Sequence, residues 1–199
     1  PQPNGGAFNS RGWNKTDGGF KATKAFLRDT LASFFEISPK LIFEKAPLPK
    51  ELYDISVNGP RDKISELKEQ FCQAFKTAFG LDLQVQSQEV DVYLMTVAFT
   101  NAPGLVPYSH LGGGGGRPGG FMLAGVTMNT VGQYLESSLD KPVVNETGLT
   151  NYWGVDLKWK MSAAEIADAQ PDPVNVIQAA REQLGLQLTP AKRKLTVLE

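Results

Sequence analysis

Apolar positions first fall into a helical period between Thr23 and Phe35, where Phe26, Leu27, Thr30, Leu31, Phe34 and Phe35 share one side. Ser38-Pro39 stops that helix, because the residue before proline is pushed out of the helical region. The short apolar run Leu41-Ile42-Phe43 then leads to Tyr53-Asp54-Ile55-Ser56-Val57, whose alternation predicts a half-buried strand. From Arg61 the period changes again. Ile64, Leu67, Phe71, Phe75 and Ala78 form one stripe while Lys63, Glu66, Lys68, Glu69 and Lys76 lie mostly elsewhere, which predicts an amphipathic helix ended by Gly80. Two alternating runs, Leu81–Val85 and Val90–Val97, flank Gln86-Ser87-Gln88-Glu89 and read as a hairpin.

The pattern breaks over residues 101–118, where Asn101-Ala102-Pro103-Gly104 and the glycine run Gly112 to Gly116 have the composition of a flexible connector. Beyond it the order returns. Thr127 caps an expected helix striped by Met128, Val131, Tyr134, Leu135 and Leu139, and Trp153, Val155, Leu157 and Trp159 alternate with polar neighbours as a strand. Asp172-Pro173 is a helix start that runs to Gly185, and Leu186–Leu188 with Leu195–Leu198 reads as a second hairpin.

Matching blocks recur in the same order at offsets of about 100 residues, a length suited to one small α+β unit. Gly18-Gly19-Phe20 answers to Gly119-Gly120-Phe121, Tyr53–Val57 to Trp153–Leu157, and Phe79-Gly80-Leu81 to Leu184-Gly185-Leu186. The expectation is an α+β fold of two diverged repeats, each strand-helix-strand-helix-hairpin, with antiparallel sheets and helices packed on one face. The repeats would cover residues 18–100 and 119–199, with a polar extension at 1–17 and the connector at 101–118.

Composition narrows the function more than the fold. The chain has 199 residues with 20 Lys+Arg against 21 Asp+Glu, a net charge of -1 that gives no bulk positive grip for nucleic acid. With 41% hydrophobic residues it can build a core. One Cys and one His exclude an internal disulfide, a CxxC redox pair and a four-ligand Cys/His zinc cage. No run of about 18 apolar residues is present. The opening at Pro1, with neither a basic nor an apolar leader, reads as a trimmed piece of a longer protein.

Individual residues add little chemistry. Cys72 sits beside the Phe71/Phe75 stripe as a small buried hydrophobe, and His110 lies on the connector beside Tyr108 and Ser109. The glycine run lacks the GxxxxGK[ST] order of a phosphate loop. Glu44 with Asp54, and Glu146 with Asp156, share no spacing that would set two carboxylates face to face. No catalytic residue, metal ligand or cofactor is expected. Asn145, Glu146, Thr147 and Trp153 are the candidate ligand-binding residues, because the Asn145-Glu146-Thr147-Gly148 turn follows a proline-fixed segment and enters the Trp153 strand. Trp153 and Trp159, with Tyr53 and Phe99, form either core or a recognition surface.

The stretch Lys141-Pro142-Val143-Val144-Asn145-Glu146-Thr147-Gly148-Leu149-Thr150, followed by Val155-Asp156-Leu157-Lys158-Trp159, resembles the signature of an acidobacterial, soil-associated family of exported proteins known only as a domain of unknown function. The likeness extends to Phe20–Leu31, Leu52–Ile55, Phe79–Leu81 and Gln183–Leu188, about residues 18–199. Asn145 departs from the family's usual Asp, and Asn151-Tyr152-Trp153 from its Gly-aromatic step. The resemblance implies a secreted, periplasmic or membrane-tethered bacterial protein, with the domain in some members following a membrane metallopeptidase or thioredoxin-like domain. It carries no activity and no catalytic set. The functional expectation is a non-enzymatic binding module, taking a protein partner or extracellular ligand at sheet edges or a groove between repeats. The alternative is an accessory domain of a redox or peptidase enzyme whose catalytic part lies before Pro1.

Overall fold

Residues 10–13, 19–168 and 171–199 are described by the computed structural model. Of the polar extension expected at 1–17, only Ser10–Trp13 fall among them, as strand β1. The chain continues through β2 (Phe20–Phe26), α1 (Leu27–Phe35), β3 (Leu52–Val57), α2 (Ile64–Phe79) and β4 (Val85–Val97). There follow β5 (Leu105–Tyr108), β6 (Gly114–Arg117), β7 (Gly120–Val126), α3 (Met128–Glu136) and β8 (Val143–Asn145). The last elements are β9 (Tyr152–Lys158), α4 (Ala163–Asp168), α5 (Pro173–Leu184) and β10 (Leu186–Leu198). The fold is α+β, and it divides into a first unit, Pro1–Gln88 with Lys194–Glu199, and a second unit, Glu89–Arg193.

In the first unit β1, β2 and β3 form an antiparallel sheet. The helix expected from Thr23 begins only at Leu27, because Phe20 to Phe26 pair with β3 instead. The pairing slips between Ala22 and Ala25, where Lys24 takes a φ of 47° and its N–H donates to the Asp54 carboxylate at 2.7 Å. Tertiary pairing thus overrides a helical period that was real in sequence. The α2 stripe holds as expected: Leu67, Phe71 and Phe75 are buried. Phe34 lies 4.4 Å from Phe71 and 5.2 Å from Phe20, centroid to centroid, so the core is a chain of aromatic contacts each adding about 0.5–1.5 kcal/mol beyond area burial.

In the second unit the sheet order is β5-β9-β7-β6, antiparallel throughout. Thr127 caps α3 by accepting from the Thr130 N–H at 3.3 Å, and Asp172 caps α5 by accepting from the Val174 N–H at 2.9 Å, with Pro173 in the first turn. Their stripes pack on Phe121, Leu123, Val155 and Leu157.

Four expectations need correction. The expectation of antiparallel sheets fails at β8, which runs parallel to β4 from Tyr93↔Val143 to Met95↔Asn145. The two hairpins do not form: Val85–Val97 and Leu186–Leu198 are single strands that neighbour each other, with Gln84 and Glu199 exchanging bonds of 2.9 and 3.0 Å and the Ala98 N–H donating to Gly185 O at 2.8 Å. The polar stretch Val85–Glu89 reads as a turn because it is exposed on both faces, whereas in β10 exposed and half-buried residues alternate from Pro190 to Thr196 without a buried apolar side to announce them. The connector 101–118 supplies two strands, β5 and β6, at the edges of the second sheet. Finally α4 was not anticipated, although Ser162 and Glu165 form a reciprocal cap: the Ser162 N–H donates to the Glu165 carboxylate at 2.6 Å and the Glu165 N–H to Ser162 Oγ at 3.3 Å.

Candidate functional site

The Asn145–Thr147 turn is tied together by its own side chains. Asn145 Oδ1 accepts from the Thr147 N–H at 3.1 Å and hydroxyl at 2.7 Å, Thr147 Oγ1 accepts from the Leu149 N–H at 3.2 Å, and Asn145 Nδ2 donates to Asn129 Oδ1 at 2.7 Å. The amide donor on Asn145 is what an aspartate there would lack. Glu146 faces outward, its N–H on Met95 O at 2.9 Å and its carboxylate receiving the Arg193 guanidinium through bonds of 3.0 and 3.2 Å. Trp153, on β9, pairs with Pro107 and Val126 and packs on the core of the second unit. The first three candidates therefore share one turn, while Trp153 belongs to the sheet.

Cys72 is half-buried on α2 against the aromatic core, and burial, reinforced by Asp82, pushes its thiol up. A thiol so placed is a poor nucleophile at neutral pH. His110 is exposed, with Nδ1 3.0 Å from Ser109 Oγ and its ring 4.9 Å from Tyr108. Among the described residues no three His, Cys, Asp or Glu side chains gather as metal ligands, and no helix is long and apolar enough to cross a membrane.

A different part of the second unit gathers recognition chemistry. The β6–β7 turn, the end of α3 and the residues after β9 enclose a cleft of about 380 Å³, within the range of about 300–1,000 Å³ usual for small-molecule sites. Its aromatic walls are Trp159, Tyr134 and Phe121; the Phe121 ring lies 5.4 Å from Tyr134 and 6.3 Å from Trp159. Arg117 brings a guanidinium bound to the Asp156 carboxylate, which Lys158 also approaches at 3.4 Å. Ser137 and Ser138 add hydroxyls. A second hollow of about 490 Å³ lies against Trp159 as well, lined by Lys158, Lys160, Asn175, Gln178, Glu182 and Gln183. Gln183 is fixed there, donating to Lys158 O at 2.6 Å and accepting from the Lys158 N–H at 3.1 Å.

Two further features lie beside this cleft without being confined to it. The indole Nε1 atoms of Trp159 and Trp153 are buried and meet no acceptor on the protein, a state that costs roughly 1–3 kcal/mol per donor unless something else accepts the bond. The glycines of β6 also divide into two kinds. A Cβ on Gly114 would stand 2.2 Å from Met122 O, whereas one on Gly115 or Gly116 would meet nothing within 4 Å. Gly114 is glycine so that β6 can lie against β7; no packing demand accounts for the other two.

Sequence reasoning had singled out Trp159 among the aromatics but missed Arg117 and Tyr134. Arg117 was hidden inside the glycine run, and Tyr134 was counted in the α3 stripe, which it joins only in part. No curated protein and no solved structure matches the chain. The model of one family matches residues 28–199, and the chain belongs to that family, DUF3738, a protein of unknown function.

Proposed function

We propose that this chain is an exported binding module, one that holds a ligand rather than transforming it, and that the ligand sits in the cleft beside Trp159. The observation that carries this reading is an open cleft of about 380 Å³ in which the Trp159 and Tyr134 rings meet the Arg117 guanidinium and the Ser137 and Ser138 hydroxyls. The open Gly116, on the cleft's lining, agrees with it, since glycine in a strand often marks where a ligand or another backbone comes close. Export is supported by the family resemblance of the Lys141–Thr150 signature. Asn145, Glu146 and Thr147 then serve the site indirectly, by fixing the turn that feeds β9.

A thermal-shift screen of the chain against peptides, saccharides and nucleotides tests this. A ligand of the native state raises the midpoint by mass action, and Gly116→Leu, which adds bulk at a lining position where a Cβ meets nothing within 4 Å, should cancel the rise. A shift that persists in Gly116→Leu, or no shift from any class, overturns the proposal.

A second reading draws on the same edge. Gly113 and Gly115 leave the backbone of β6 uncovered by side chains, as suits an added strand of polypeptide. Deuterium exchange would show it as protection spread along residues 113–117 on peptide binding, against protection confined to the turn and Trp159 for the cleft.

We also infer that the chain descends from a duplication. Support comes from β2 and β7, both of 7 residues, and α1 and α3, both of 9. The β2–β3 and β7–β9 pairings each slip once, and α2 and α5 each stop at a left-handed glycine, Gly80 and Gly185.

A further inference from the structure

We propose that the cleft beside Trp159 is a site for a neutral, polyhydroxylated ligand of the saccharide class. The inference rests on the binding reading above and adds the ligand's chemistry. The charge balance decides against an anion. Among the described residues Arg117 is the only charged one that lines the aromatic cleft, and its guanidinium is already bound to Asp156, a carboxylate that Lys158 shares at 3.4 Å. An anionic ligand would have to compete with that carboxylate for the same donors. What the pair offers instead is a donor and an acceptor side by side, the pattern that neighbouring hydroxyls of a sugar ring complete from both sides.

The remaining lining fits the same class. Trp159 and Tyr134 present aromatic surface to which the C–H faces of a pyranose are complementary, with Phe121 buried behind them. Ser137 donates to Tyr134 O at 2.7 Å and keeps its lone pairs free to accept.

The test is titration calorimetry of the chain with defined neutral tetrasaccharides: β-linked glucose, xylose, mannose and N-acetylglucosamine oligomers and α-linked glucose oligomers. A panel of acidic and basic peptides and inorganic phosphate runs in parallel. At least one saccharide should bind with a Kd below about 1 mM. Arg117→Gln and Trp159→Phe should each weaken it by about tenfold or more, and Gly116→Leu should abolish it, while Trp153→Phe leaves it unchanged. Circular dichroism of each variant separates lost binding from lost folding, and Gly116→Leu carries the conclusion where Trp159→Phe is unstable. Saccharide binding that ignores all three cleft variants overturns the assignment. Peptide or phosphate binding that Gly116→Leu abolishes, with no saccharide bound, overturns the saccharide class and leaves the binding reading standing. Silence from every probe overturns both.

Discussion

Arg28 on α1 gathers the loop that follows its helix. Its guanidinium reaches Pro39 O at 2.7 Å, Ile42 O at 3.2 Å and, through Nε, the Glu44 carboxylate at 3.0 Å, while the Leu48 N–H donates to the same carboxylate at 3.3 Å. The Arg28 hydrogen bond, with Leu48 behind it, holds the Glu44 carboxyl below the ordinary glutamate range. A carboxyl lowered in the folded state stabilises fully above its unfolded value, near about 4.3, and loses that contribution as pH falls through the folded value. Urea midpoints measured from about pH 6 down to about pH 3 should therefore show a shallower acid slope in Glu44→Gln than in the parent. The glycines of β6 give a second test at the same scale. Gly114→Ala must displace Met122 O or the strand and should cost about 2–4 kcal/mol in urea unfolding, whereas Gly115→Ala should stay within about 0.5 kcal/mol of the parent. None of this was legible in the sequence, where five consecutive glycines look alike; only the neighbour opposite each one tells them apart.

At the scale of elements, the helices were the readable part. The stripes of α2 and α5 coincide with end signals that chemistry makes local: Asp172-Pro173 at one start, Gly80 and Gly185 at the two stops. Both glycines are left-handed, with φ of 69° and 65°, yet their surroundings differ. A Cβ at Gly80 meets nothing, so Gly80→Ala should cost only the left-handed penalty of about 1–2 kcal/mol. At Gly185 it would stand 2.3 Å from Phe99 O, and Gly185→Ala should cost clearly more, a difference that paired chemical denaturation curves would reveal. Strands were less readable because pairing is not local. Glu89 and Lys192 form an ion pair at 3.6 Å, an arrangement that only the neighbouring of β4 and β10 explains and that neither polar stretch announces alone. The same reason hid β5 and β6, and with them Arg117 of the cleft. The turn at Asn145–Thr147 was recognised as a turn because its bonds span two residues.

For the molecule as a whole, sequence order and structural membership part company at the end of the chain. Lys194–Glu199 belong to the first unit, where Leu198 is fully buried in its core, the Phe43 N–H donates to Leu198 O at 2.7 Å, and Lys45 holds Glu199 at 2.6 Å. Ending the chain after Arg193 should loosen the first unit rather than the second. Amide exchange in α1 and α2 should accelerate, while α3 and α5 keep their protection. The opposite pattern would mean that β10 supports mainly the unit it follows. The arrangement also orders events during biosynthesis. Residues up to Gln88 of the first unit are translated before the second unit, whereas Leu198 of its core follows only after it. The cluster of Phe34, Phe71 and Phe75 thus stays one member short through the making of the whole second unit.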